Sequence, residues 1–155
     1  MDRRRALSRG FTLLELTIVV VIAALLLAMG APRVNERDLV GSAARSVVAD
    51  GARARSYAAR TWEPVTLDVD VGNGAWRVTR QDGTWLDLPG ANANGWRELG
   101  PGIGFEAVEG FPVDSVFLPN GRTTGATRLR IRSGDEIWLL QIDALTGRIT
   151  ADPEP

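Results

Sequence analysis

Two groups of residues could do chemistry by type and spacing. The first is Glu15, the only charged residue between Phe11 and Ala31. The second is Asp68 and Asp70, two residues apart on a run that alternates apolar and polar. Spacing of two puts both carboxylates on one face of a strand. Such a pair could in principle hold a metal or serve hydrolysis, but no third ligand accompanies it, and a solvated face is the simpler reading. The chain contains no Cys and no His. That excludes disulfides, thiolate nucleophiles, His-based triads and nearly all zinc sites. Acid–base work would fall to carboxylates, Tyr57 or Arg, so the composition argues against an enzyme and names no catalytic residue, metal site or cofactor.

Glu15 poses the sharper question. From Phe11 to Ala31 only Thr12, Glu15 and Thr17 interrupt the apolar character. As a helix this segment would extend roughly 31 Å, the thickness of a bilayer core. A carboxylate placed there costs about 2.5–3.5 kcal/mol at the bilayer centre and is a functional residue by default. The span itself supplies no basic residue. A matching cation would come from another chain or from a new N-terminus. Cutting between Gly10 and Phe11 creates one, the Phe11 α-amino group, one helical turn before Glu15. If the pairing is made with a neighbouring helix, it is satisfied only on assembly.

The charge pattern orients this segment. All eighteen basic residues are Arg. Residues 1–10 carry Arg3, Arg4, Arg5 and Arg9 against Asp2, whereas the remainder carries fourteen Arg against eighteen acids. A basic head before an apolar run stays cytoplasmic while the rest crosses. Two other readings of the segment compete. One is a plain membrane anchor. The other is a cleaved secretory signal with Leu16–Leu27 as its apolar region and Ala28-Met29-Gly30 before the cut, which would start the mature chain at Ala31. Neither gives a reason for the Gly-Phe-Thr-Leu-Leu-Glu head.

Behind Pro32, a residue that kinks or interrupts helices, a second helical pattern runs from Val34 to Arg60. Val40, Ala44, Val47, Gly51, Ala54 and Ala58 recur at steps of three and four, the mark of one buried face. Arg45, Asp50, Arg53, Arg55 and Arg60 are read as lying off that stripe, and Arg53, Arg55 and Arg60 as a solvated basic run. From Thr61 the pattern changes to short strands with turns between them. They are Val65–Val71, Ala75–Arg80, Thr84–Leu88, Ile103–Val108, Ser115–Leu118, Arg128–Arg132, Glu136–Ile142 and a last short one at Arg148–Thr150. Residues 89–102 read as a loop, and Asp152-Pro153-Glu154-Pro155 as a solvated tail. One long helix followed by strands predicts an α+β domain.

Arg9-Gly10-Phe11-Thr12-Leu13-Leu14-Glu15 resembles the class III signal of type IV pilins and type II secretion pseudopilins. The resemblance implies that a membrane-embedded prepilin peptidase cuts after Gly10, that Phe11 is then N-methylated, and that Glu15 guides subunit docking. Phe117-Leu118-Pro119-Asn120-Gly121-Arg122-Thr123-Thr124-Gly125 is similar to a segment of H-type minor pseudopilins and FimT-like minor pilins, and Thr146-Gly147-Arg148-Ile149 to their closing motif. Major pilins and pseudopilins are similar only in the first helix. The acidic calcium loop of the one is not evident, and the cysteine-closed loop of the other is impossible here.

The resemblance implies a four-part layout: a cleaved leader over 1–10, the membrane and assembly half of the helix over 11–31, its periplasmic half over 32–60, and a periplasmic β-rich domain over 61–155. The fold it implies is a long N-terminal helix packed on a β-sandwich-like pair of antiparallel sheets. Its expected partners are major and minor pseudopilins of one filament, the prepilin peptidase, the inner-membrane assembly platform and membrane lipid. Two functions follow from it: a subunit of the secretion pseudopilus, or a minor pilin that aids pilus assembly or DNA uptake. In the second, Arg122, Arg128, Arg130, Arg132 and Arg148 are the candidate DNA contacts, binding phosphate with a steep salt dependence. The acidic balance after residue 10 favours secretion.

Overall fold

The computed structural model describes residues 13–30 and 36–155, which fall into two separately compact units. The first holds helix α1, Leu13–Gly30. Its apolar side chains are exposed on every side, from Leu13 and Leu14 through Leu16, Ile18, Val19, Val20, Val21 and Ile22. A helix apolar all round has no solvent face to offer. Among the described residues no helix is by itself long and apolar enough to cross a membrane. The 18 residues of α1 extend about 27 Å, short of the roughly 30 Å hydrocarbon core. The expected span runs from Phe11 to Ala31, and its two ends, like Pro32, lie outside the described residues.

The second unit is helix α2, Glu36–Thr61, packed on two four-stranded antiparallel sheets. Its strands are β1 (Val65–Asp70), β2 (Ala75–Arg80), β3 (Arg97–Glu98), β4 (Gly104–Ala107), β5 (Ser115–Phe117), β6 (Thr127–Ser133), β7 (Glu136–Ile142) and β8 (Ile149–Glu154). One sheet has the order β3-β2-β1-β5 and the other β4-β6-β7-β8. This is the α+β architecture that the helix-then-strands pattern predicts.

Why α2 packs as it does is visible in its small residues. Val40, Ala44, Val47, Gly51, Ala54 and Ala58 are all buried, and short side chains let the helix axis lie close to the strands. At Gly51 a β-carbon would run into the Ile149 side chain, and at Gly41 into the Trp138 ring. On β1 the alternation Val65, Leu67, Val69 points inward while Thr66, Asp68 and Asp70 point out. On β6, Leu129 and Ile131 are fully buried and Arg128, Arg130 and Arg132 face away. Trp76 of β2 and Phe105 of β4 meet edge to face between the two sheets, their rings 6.2 Å apart at 89°. A buried hydroxyl pair, Ser115 and Thr127, joins β5 to β6.

Three expectations are corrected. Residues 84–88 form only an isolated bridge, Thr79 to Trp85, with one further backbone bond from the Leu86 amide to the Val78 carbonyl, behind a turn in which Asp82 accepts from the Thr84 amide and hydroxyl. The 89–102 loop contains β3, seated against β2. Asp152, Pro153 and Glu154 are not a free tail but the second half of β8, in register with Leu139, Trp138 and Ile137 of β7. Proline is tolerated there because β8 is an edge strand.

The turn between β7 and β8 needs its glycine. Gly147 is buried with φ of 59°, a left-handed conformation that costs other residues about 1 kcal/mol or more. A β-carbon there would also meet the Gly121 carbonyl oxygen, so the two glycine turns singled out in the sequence touch each other.

Candidate assembly motif and arginine face

The N-terminal motif falls mostly outside the described residues: Gly10, Phe11 and Thr12 precede them. Glu15 is placed in the first turn of α1, and Thr17 donates its hydroxyl to the Leu13 carbonyl at 2.8 Å. A carboxylate in a first helical turn faces the positive end of the helix dipole.

The candidate DNA-binding arginines divide into two sets. Arg130 donates Nε to Glu154 Oε2 at 2.7 Å and Nη2 to Oε1 at 2.9 Å, a bidentate fork, and also lies 3.5 Å from Glu106. Arg132 donates to Glu106 at 3.0 Å. Both are therefore committed within the sheet and already neutralised. Arg128 is exposed, with its guanidinium 4.7 Å over the Phe111 ring. Arg148 is exposed across the same cleft, and Arg122 is exposed on the 118–124 turn. None of these three forms an ion pair among the described residues. So the structure brings Arg128 and Arg148 together and leaves the five without a continuous track.

The Arg130 hydrogen bond, and then its charge, hold the Glu154 carboxyl below the usual carboxylate range. The same contact raises Arg130. A carboxyl lowered on folding stabilises the fold above its ordinary pKa, and that contribution is lost as pH falls through the lowered value. Following the Glu154 side-chain carbon by NMR should give a midpoint below that of a free glutamate. Arg130→Gln should move it back upward. The effect on stability is small, since the pair is largely solvated.

Asp68 and Asp70, the other candidate pair, work separately. Asp68 accepts from Arg77 at 3.1 Å and from the Thr79 hydroxyl, and Arg77 in turn lies 4.4 Å over Trp96. Asp70 accepts from the Asn73 amide and side chain and so closes the β1–β2 turn. Its carboxyl is lowered chiefly by the Asn73 side-chain bond. No cluster of three or more His, Cys, Asp or Glu suited to a metal occurs among the described residues.

The sequence reading placed Asp50 off the buried stripe, and the structure corrects this. Asp50 is 0% exposed. Its Oδ2 accepts from Trp76 Nε1 at 3.0 Å and from Arg97 at 2.5 Å, and its Oδ1 accepts from Arg53 at 2.7 Å. The Arg97 guanidinium also lies 5.0 Å over the Trp76 ring. One carboxylate thus clamps α2 to β2 and β3. Spacing held the signal: position 50 follows Val47 by three and precedes Ala54 by four, the same steps that define the stripe.

Comparison with known proteins accords with this architecture. Residues 5–31 match the prokaryotic N-terminal methylation motif, and residues 43–146 match the family described as type II transport protein GspH. No curated protein matches the sequence. Among solved structures, the minor pseudopilin EpsH from the type 2 secretion system of Vibrio cholerae is similar at 18% identity, with a TM-score of 0.56 over 74% of this chain and 97% of EpsH. The type IV minor pilin FimU of Pseudomonas aeruginosa is similar at 19% identity, with a TM-score of 0.55 over 76% of this chain and 91% of FimU. At such identities these two share the fold. The match across residues 43–146, two thirds of the chain and set behind a methylation motif, identifies it as a member of the GspH family of type II transport proteins.

Proposed function

We propose that the chain is a minor pseudopilin of a type II secretion system. Prepilin peptidase cuts after Gly10, and Phe11 becomes the methylated N-terminus. The apolar helix holds the protein once across the inner membrane, with residues 1–10 on the cytoplasmic side before cleavage and the β-rich domain in the periplasm. Glu15 docks the subunit onto its neighbours. With the inner-membrane platform and the other pseudopilins it builds the tip region of the filament that pushes folded exoproteins through the outer-membrane secretin. The observation that carries this reading is the family match over residues 43–146 directly behind the methylation motif at 5–31. Family and fold are those of structural filament subunits, and no catalytic role is assigned.

The second reading is a FimT-like minor type IV pilin that serves pilus assembly or DNA uptake. The likeness to FimU and the exposed Arg128 and Arg148 support it. Against it, Arg130 and Arg132 are spent on Glu106 and Glu154, and a phosphate backbone needs cations along its length. Deleting the gene and measuring exoprotein release and natural transformation side by side separates the two. The secretion reading expects release to fall with transformation unchanged. The reverse outcome would establish the pilus reading.

A further inference from the structure

The end of the β-rich unit at which α2 finishes collects cations without counter-charges. Val65 of β1 pairs with Phe117 of β5, so residues 62–64, which lead into β1, and the 118–122 turn, which leaves β5, lie at the same edge. The β7–β8 turn joins them there, because Gly147 packs against the Gly121 carbonyl. Arg55 of α2 lies across both turns: its Nη2 is 3.6 Å from where a Gly121 β-carbon would stand, and its Nε 3.4 Å from that of Gly147. Arg55, Ser56, Ala59, Gly121, Gly147 and Arg148 border an open socket of about 310 Å³. Arg55, Arg122 and Arg148 are exposed, and none of them forms an ion pair among the described residues. Of the acids on these segments, Asp143 is turned onto its own loop, accepting from the Leu145 and Thr146 amides, and Glu63 is exposed. Trp62 belongs to the same edge. It is 78% exposed and, with φ of 58°, is the one non-glycine residue with a positive φ among the described residues. Glycine or asparagine is usual just past a helix in that conformation, and a bulky residue held there is strained. Strain kept at the surface, with no burial to offset it, points to a use outside the folded unit.

We infer that this edge is the docking surface for a different pseudopilin of the same filament, one that presents an acidic turn or helix end to the Arg55–Arg148 socket and an apolar patch to Trp62. The inference rests on the secretion reading above, in which a minor subunit has neighbours of other sequence. Trp and Arg are the residues that most often dominate protein interfaces, and the guanidinium offers a planar fork to a carboxylate. The chain beyond residue 10 carries eighteen acids against fourteen Arg. That balance repels a long polyanion as a whole, whereas a few carboxylates on a folded partner meet only the local cluster, because salt screens charges further off.

A benzophenone amino acid in place of Leu145, an exposed side chain on the β7–β8 turn, probes the surface in cells that express the full-length protein with the other pseudopilins of its system. Irradiation should give an adduct with one of those pseudopilins. Arg55→Glu with Arg148→Glu should cut the adduct at least about tenfold. Reversing the acids of the cross-linked partner peptide to Arg should restore it, which also shows that the arginine variant folds. Trp62→Gly should lower the adduct by a similar factor while the Tm of the full-length protein in detergent stays the same or rises, because glycine takes the left-handed conformation without strain. A Trp62 that served only the fold would lose Tm instead. No adduct, an adduct only with a second copy of this chain, or an adduct indifferent to the arginine reversal would overturn the proposal. So would loss of the adduct on nuclease treatment, which would assign the edge to nucleic acid. Failure of the secretion reading shows separately, as unchanged exoprotein release when the gene is deleted.

Discussion

Glu15→Leu should insert into the membrane as well as the unmodified chain and be processed normally, but its incorporation into the filament should fall by roughly 100-fold. The size follows from the solvent. A carboxylate costs about 2.5–3.5 kcal/mol at the bilayer centre, an upper bound for Glu15 five residues into the span. Opposite charge from a neighbour's Phe11 amino group recovers much of that, and each 1.4 kcal/mol is about tenfold in an association constant. Leu makes the single helix more comfortable in lipid and removes the reason to associate. Membrane fractionation should therefore show an unchanged or raised membrane pool, while sheared or cross-linked filaments lose the variant. Glu15→Asp, which keeps the charge on a shorter arm, should recover part of the incorporation. Equal incorporation of the Leu variant would remove the docking role and leave α1 as a plain anchor.

Asp50→Ala should be the most damaging single change in the β-rich unit, destabilising it by about 2–4 kcal/mol, because it leaves the buried Trp76 indole N–H without an acceptor and the mostly covered Arg97 without its counter-charge. Arg97 and the Trp76 indole N–H both end on the one buried carboxylate oxygen, and Arg53 on the other. Denaturant unfolding of the full-length protein in detergent reads this. Asp50→Asn should cost less, since an amide oxygen still accepts from Trp76. Asp50→Leu combined with Arg97→Met should recover part of the stability lost by Asp50→Leu alone, because it removes the mostly covered charge that the first change strands, while the half-exposed Arg53 turns to water. A loss below about 1 kcal/mol for Asp50→Ala, the level of an ordinary surface pair, would mean that the clamp does not hold α2 to its sheet.

What was legible in the sequence was whatever local periodicity encodes. The α2 stripe from Val40 to Ala58 and the alternation on β1 follow from which residues can face a core. Less legible were features set by partners distant in the chain. Glu154 reads as part of an acidic tail until β8 pairs with β7 and Arg130 is found 24 residues away in sequence. Asp50 reads as a solvated charge until Trp76 and Arg97 arrive from 26 and 47 residues further on. Within the arginine face, β-alternation showed that Arg128, Arg130 and Arg132 share one side. It could not show that acids from β4 and β8 occupy two of them and leave the third to stack on Phe111. The residues that bear on assembly carry a different signal. Gly10, Phe11 and Glu15 are recognisable by their order ahead of an apolar run, a pattern that under the proposed function is read by a peptidase and a bilayer rather than by a folded core.

Everything functional in this account starts from one event, the cut that turns Phe11 into a charged N-terminus four residues before Glu15. Intact-mass measurement of the protein purified from membranes tests it most directly. The expected species begins at Phe11 and carries one additional methyl group. A chain that begins at Ala31, or one that functions with residues 1–10 still attached, would contradict it.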